Sequence, residues 1–166
     1  MPTNRLTTAD IITDIIAKEG GATATHDPHD AGGRTQYGIS ERTHPEAWAD
    51  GKVTEAEARD IYEAQYVKAP HFDQVSDPAL RAQLVDFGVN SGPSVAIGKL
   101  QRVLGVAIDG ILGVNTLKAI TEADIQAVNN LLVAERVRMF ARLTQRTPAN
   151  LKFLVGWVER ALSFLR

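Results

Sequence analysis

Glu19, Asp30 and Thr35 are the residues whose types and spacing could break a glycosidic bond. Glu19 follows isoleucines at 11, 12, 15 and 16, a spacing that predicts one apolar stripe of a helix over 9–19. It lies three residues after Ile16, four after Ile15 and seven after Ile12, so it falls on that stripe rather than on the wet face. A carboxylate there is costly unless it is paired, hydrogen-bonded or neutral. Burial of that kind raises a glutamate pKa toward neutrality, which is what a general acid needs. Position alone favours a plainer reading, in which Glu19 ends the helix and its head reaches solvent past Gly20 and Gly21.

The segment after the helix shifts that balance. Five glycines and a proline between residues 19 and 40 exclude a continuing helix. Gly20 is a natural C-terminal cap, a position that usually needs positive φ. Gly32-Gly33 predicts a tight turn, and 34–39 a short strand of a small hairpin. Such a lobe returns Asp27, Asp30 and Thr35 toward the end of the first helix. Glycosidases flank the scissile bond with two carboxyl groups, or with one carboxyl and a positioned water. Glu19, Asp30 and Thr35 would supply an acid, a second carboxylate and a water-orienting hydroxyl.

The run His26-Asp27-Pro28-His29-Asp30 offers ligand types for zinc or calcium. Pro28 interrupts it, and adjacent ligands in a turn converge poorly on one tetrahedral ion. No helical His-x-x-x-His or cysteine pair supports a site. Asp27 before Pro28 reads instead as the start of a turn. No metal is expected, and the chemistry requires no cofactor.

Glu19-Gly20-Gly21 followed by Asp27-Pro28-x-Asp30-x-Gly32-Gly33-x-Thr35-x-x-Gly38-Ile39 resembles the N-terminal signature of glycoside hydrolase family 108. Members of that family are phage and bacterial lysozymes (endolysins) that cleave peptidoglycan. The resemblance implies that Glu19, matching the glutamate of a Glu-Gly-Gly-Tyr motif, is the catalytic residue. Ala22 stands where the family usually has tyrosine, which removes an aromatic contact to the sugar. The order Glu19, Asp30, Thr35 is also similar to the catalytic trio of phage-type lysozymes, with different spacing.

Composition sets outer limits. The 166 residues suffice for one well-buried domain, or for a compact domain with a small second lobe. With 44% hydrophobic and 23% charged residues the chain reads as an ordinary globular protein. The absence of cysteine excludes a disulfide framework and a thiol nucleophile. A net charge of −2 gives no sign of nucleic acid. Residues 1–98 carry 8 basic and 15 acidic side chains, whereas 99–166 carry 10 and 5. The basic part could meet an anionic wall or lipid surface, or simply the acidic part of its own chain.

Met1–Asp10 lacks the apolar core of a signal peptide, and no apolar run approaches a membrane span. The protein is therefore expected to be made in the cytoplasm and to act on the cell wall of a bacterial host. The resemblance implies a partner's pore, a holin, for access.

Past residue 40 the chain reads as helix after helix, a mostly α fold of lysozyme-like type with a small β-hairpin lobe after the first helix. Thr54-Glu55-Ala56-Glu57 is a capping box opening a helix to about Lys68. Asp77-Pro78 and Gly92-Pro93 open two more, and Thr121-Glu122-Ala123-Asp124 opens a long one. Asp86-Phe87-x-x-Asn90-x-Gly92 resembles a family stretch. Asp86 and Asn90 share a helix face that could line a sugar cleft, or Asn90 could cap the helix near Gly92. Tyr66-Val67 stands where the family often has Tyr-Trp, so one stacking platform is missing.

Leu100-Gln101-x-x-Leu104-Gly105-x-x-x-Asp109-Gly110-x-x-Gly113-x-x-Thr116 is similar to peptidoglycan-binding repeats. Physically it is a helix, an Asp-Gly turn, and a second helix from about 115. The last helix, 148–166, is cationic and apolar around much of its circumference. Core packing is favoured there over a place on an anionic membrane. The expected division is a lysozyme-like catalytic region over 1–92 and a peptidoglycan-binding-like helical region over 93–166, integrated into one compact domain.

The leading expectation is a monomeric muramidase hydrolysing the β-1,4 bond between N-acetylmuramic acid and N-acetylglucosamine. Glu19 is its general acid, with Asp30 and Thr35 stabilising the developing cation or orienting water. Gly20, Gly21, Tyr37 and Asn90 are the candidate substrate-binding positions. The alternatives are a lytic transglycosylase using the same glutamate and a non-catalytic cell-wall-binding module.

Overall fold

The computed structural model describes residues 6–26 and 33–166. The chain forms two compact units, Met1–Ala69 and Pro70–Arg166. Its described elements are seven α-helices and one small antiparallel sheet, the mostly α, lysozyme-like fold expected from the sequence.

In the first unit, α1 (Thr8–Lys18) opens with a capping box. The Thr7 hydroxyl accepts from the Asp10 amide, and the Asp10 carboxylate accepts from the Thr7 amide at 2.8 Å. Ile11, Ile12, Ile15 and Ile16 are all buried, each contributing about 2 kcal/mol of apolar burial. A second capping box, Thr54 with Glu57, opens α2 (Glu55–Glu63), which packs on α1 through its buried Ala58 and Tyr62 face. The expected helix to Lys68 changes pitch at its end. Ala64–Lys68 form a π-helical turn, closed by the Ala69 amide donating to the Ala64 carbonyl at 2.9 Å.

The sheet has the order β1 (Thr25–His26), β2 (Arg34–Gln36), β3 (Ile39–Ser40), with β2 central. Thr35 lies opposite Thr25 on one side and Ser40 on the other. The single strand expected over 34–39 is in fact two, because Tyr37 and Gly38 both take positive φ (52° and 77°). That is what a two-residue type I′ hairpin turn demands, and Gln36 pairs with Ile39 across it. Below the turn, buried Trp48 donates its indole N–H to the Ile39 carbonyl at 3.2 Å. The Arg34 guanidinium lies 4.8 Å over the Trp48 ring and forks onto Glu41.

The second unit is helical: α3 (Pro78–Ser91), α4 (Pro93–Leu104), α5 (Val114–Glu122), α6 (Ile125–Arg146) and α7 (Leu151–Leu162). α3 packs against α4 and α6, and α6 against α4 and α7. Seven successive residues of α3, Ala82 to Gly88, are buried, so α3 has almost no wet face through its middle. One of them is Asp86, which does not line a cleft. It pairs with fully buried Arg136 at 2.7 Å and accepts from Arg160 Nε at 3.0 Å.

Two further expectations are corrected, the cap of the long helix and the enclosure of α7, and the repeat-like pattern between them gains a physical basis. The long helix is capped by Asp124, whose carboxylate accepts from the Gln126 and Ala127 amides, and not by Thr121, which belongs to α5. Gln101, read as part of a repeat pattern, is buried and organises the Asp-Gly turn. It accepts from the Asp109 and Gly110 amides and donates to Asp109 Oδ1 and to the Ile111 carbonyl. α7 is not enclosed. Ala161 is buried and Trp157 packs on Phe140, yet Leu151, Phe153, Val155 and Leu162 are 45–68% exposed. A helix at the rim of a bundle needs one buried stripe only, whatever its other faces carry. No described helix is long and apolar enough to cross a membrane.

Asp77, the N-cap of α3, also holds Arg166 at 2.7 Å. Burial works to raise its pKa, but the Leu80 amide and the Arg166 guanidinium outweigh it and hold the carboxyl below its usual range. Stability from such a depressed group is present above its unfolded pKa, about 4, and is lost as pH falls through the folded value. Asp77→Asn keeps a capping oxygen but loses the charge. We expect it to be less stable than wild type at pH 7 by about 1 kcal/mol. Chemical denaturation between pH 7 and 3 should show the gap closing in acid; a gap of constant size would refute the pairing.

Candidate functional site

The first helix ends abruptly at its chemical residue. Glu19 is the C-cap of α1, with its amide donating to the Ile15 carbonyl at 2.9 Å, and the helix stops because Gly20 takes φ 93°. The Gly21 amide closes the cap on the Ile16 carbonyl at 3.0 Å, the wide bond of a Schellman ending. The fully buried stripe stops at Ile16, and Glu19 is half-buried. Its carboxylate thus stands at the edge of the apolar face rather than inside it.

What holds that edge in place is the hairpin turn. The Tyr37 amide donates to the Gly21 carbonyl at 2.9 Å, and the Gln36 side-chain amide donates to the Ala22 carbonyl at 2.9 Å. Gln36 is itself gripped from behind, its oxygen accepting from the Val53 amide at 3.0 Å. The Tyr62 hydroxyl, from the buried face of α2, donates to the Tyr37 carbonyl at 2.9 Å. The chain leaving Glu19 is therefore tied to the hairpin by two long-range hydrogen bonds, and two more brace the hairpin against Val53 and α2. A catalytic group needs such a rigid base, since misplacement by about 1 Å can lower a rate about 100-fold.

Gly38 presses against the Glu19 side chain. A Cβ at Gly38 would lie 2.8 Å from Glu19 Cβ and 3.1 Å from its Cγ, and would collide with the Tyr62 hydroxyl. Gly38 also needs its positive φ, so no other residue fits without moving Glu19. We expect Gly38→Ala to destabilise the protein by about 2 kcal/mol and to lower activity even where the chain stays folded. Thermal melts with turnover assays on the folded fraction test this. Wild-type specific activity would show that the close contact does not position Glu19.

Two tyrosines of α2 and the turn that follows it stand near Glu19. Tyr62 and Tyr66, one helical turn apart, have ring centroids 5.8 Å apart, and Tyr66 lies within the π-helical turn. Tyr66 is half-buried. Burial first, and then the negative charge of Glu19, push its hydroxyl above the usual tyrosine pKa, so it stays protonated as a donor. Sequence reasoning passed over Tyr62, and met Tyr66 only as the neighbour of Val67 without making it a site candidate. Their four-residue spacing on a helix opened by an evident capping box was the available signal, and π turns recur at functional sites.

Of the candidate residues, the structure brings Glu19, Gly20, Gly21 and Tyr37 together, with Thr35 on the strand leading into the Tyr37 turn. Asp30 lies outside the described residues, as do Asp27, Pro28, His29 and Gly32. Asn90 belongs to the second unit, near the end of α3, where its side-chain oxygen accepts from the Ser91 hydroxyl at 3.0 Å. Among the described residues no group of three or more histidine, aspartate or glutamate side chains could hold a metal ion.

This arrangement offers one half-exposed carboxyl on a fixed helix end, walled by a bare glycine turn and two tyrosines. It is suited to giving a proton to a leaving oxygen. Residues 12–92 match a family described as Glycosyl hydrolase 108, and residues 95–162 match one described as Predicted Peptidoglycan domain. Among solved structures the chain is similar to that of Brucella abortus SagA, at 30% identity and a TM-score of 0.69, over 96% of this chain and 95% of the other. No curated protein matches it.

Proposed function

From the premise that this chain belongs to the glycosyl hydrolase 108 family, we propose that it hydrolyses the β-1,4 bond between N-acetylmuramic acid and N-acetylglucosamine. The coarser statement, a glycoside hydrolase that degrades peptidoglycan, follows from the two family matches. The finer one is carried by Glu19, a carboxyl clamped at a helix end with the Gly38 turn against its side chain.

In this reading Glu19 protonates the glycosidic oxygen as the bond breaks. Thr35, on the central strand beside the site, orients the attacking water, and Asp30 supplies the second carboxylate. Gly20, Gly21 and Tyr37 contact the sugar at the Glu19 site, and Asn90 contacts the wall polymer from the second unit. The catalytic chemistry belongs to 1–92 and wall recognition to 93–166. The enzyme works as a monomer on the wall of a bacterial host, reached from the cytoplasm through a holin-type pore as endolysins reach it.

Digestion of purified peptidoglycan, followed by mass spectrometry of the fragments, tests the reaction. Hydrated reducing ends on muramic acid are expected. Anhydro ends would replace hydrolysis by lytic transglycosylation, and reducing ends on glucosamine would move the cut to the other bond. Binding without fragments would leave a wall-binding module.

A further inference from the structure

We propose that the second unit carries a groove that binds the carboxylates of peptidoglycan stem peptides, an inference that rests on the peptidoglycan reading above. The groove, about 470 Å³, lies between the junction of α3 with α4 and the C-terminal part of α6. That volume is within the range of pockets that take small ligands.

Its rim is cationic. Arg142 and Arg146, four apart on α6, share one face, and Lys99 of α4 joins them. Like charges at that spacing oppose each other, so the helix gains nothing from the pair itself. Other arginines of this unit are answered: Arg136 and Arg160 by Asp86, Arg138 by Glu135, and Arg166 by Asp77. Arg142 and Arg146 pair with no carboxylate among the described residues, and Lys99 shares Glu135 at 3.3 Å with Arg138. Two uncompensated guanidiniums therefore face one groove, and guanidinium is the group that forks onto a carboxylate.

The rest of the lining favours a peptide over a sugar. Val95, Met139 and Leu143 give apolar contact for alanine methyls and the methylenes of a diamino acid. Asn90 is oriented by Ser91, whose hydroxyl donates to its oxygen, so its NH₂ is left as a donor for a peptide carbonyl. No aromatic ring lines the groove, so there is no platform for a sugar face to stack on. The glycan strand of peptidoglycan is uncharged where the lactyl group carries a stem, and its anionic groups are the stem carboxylates. Groove and stem are complementary in charge.

The test measures binding to glycan strands coupled to beads, using the full chain with Glu19→Gln so that turnover does not enter. One sample keeps its stems, and the other is stripped of them by an amidase after coupling, with the freed lactyl carboxylates capped as amides. Binding to intact peptidoglycan should weaken about tenfold in Arg142→Gln/Arg146→Gln, and about as much for the parent chain on stripped glycan. The double variant should no longer distinguish the two samples. Arg142→Lys/Arg146→Lys should recover part of the loss, and both variants should melt like the parent, since the side chains are exposed. Equal binding of the parent to stripped and intact material would overturn the proposal. So would unchanged binding by the glutamine variant, or arginine-dependent binding that appears only with phosphatidylglycerol vesicles. Stem-dependent binding without any cleavage by the wild type would sink the muramidase reading and leave the groove standing.

Discussion

Glu19→Gln is expected to lower peptidoglycan cleavage by about 10²- to 10⁴-fold, the usual weight of a positioned general acid, with no change in fold. The substitution is nearly isosteric. The backbone cap onto Ile15, the Schellman bond onto Ile16 and the contact with Gly38 involve no carboxylate oxygen, so each survives. Under the proposed mechanism the proton donor is lost, because an amide N–H cannot protonate a leaving oxygen. Thermal melts within about 2 °C of wild type would confirm that the scaffold is intact. Glu19→Asp sharpens the result. It keeps the acid but draws it back by one methylene, and should lose much of the rate through misplacement alone. Dye release from labelled peptidoglycan measures both variants. Clearing by Glu19→Gln at the wild-type rate would remove Glu19 from the mechanism altogether.

The second large effect concerns stability. Asp86→Ala is expected to lower the unfolding free energy by about 3–5 kcal/mol, as for other broken buried ion pairs. Asp86 is 1% exposed and lies between two cations. Arg136 is completely buried, with its guanidinium 4.9 Å from the Phe87 ring centre, 5.7 Å from Phe140 and 6.0 Å from Phe164. Its guanidinium approaches Asp86 to 2.7 Å, a close ion pair inside the helical unit. Desolvation accordingly pulls the Arg136 pKa down, against the pull of Asp86 upward. Without Asp86, the Arg136 guanidinium, enclosed by phenyl rings, loses the carboxylate that faces it. Replacing Asp86 and Arg136 together by leucine and methionine should recover much of the loss, because apolar groups of similar volume often match a buried pair. Urea denaturation of the single and double variants measures the coupling. A loss below about 1 kcal/mol for Asp86→Ala would show that the pair is not structural.

These results differ in how far they were legible in the chain. The helix starts were, because a cap is a contact between residues two or three apart. Thr54 with Glu57 and Asp77 before Pro78 both lie within one turn of backbone. Glu19 was legible for the same reason, since the isoleucine stripe and the two glycines around it are local. The misplaced cap at Thr121 shows the limit. Thr121 and Asp124 are both competent caps, and only the packing of α5 decided that the helix runs on to Glu122.

The surroundings of Glu19 were not legible. Gly38 follows it by 19 residues, and Tyr62 and Tyr66 by more than 40. They meet only because a type I′ turn folds back on the helix end. Asp86, Arg136 and Arg160 lie on three helices, and no periodicity links their positions. α7 likewise carries more apolar residues than its neighbours cover, and only the bundle determines which of them are buried.

By itself, then, the sequence determined the helices, most of their starts and the place of Glu19 at a helix end, because those depend on propensities and contacts spanning a few residues. The wall that positions the acid, the buried charges of the helical unit and the cationic groove were decided only by tertiary structure. Each depends on which distant surfaces lose their water together, and that free energy is settled when the chain closes on itself.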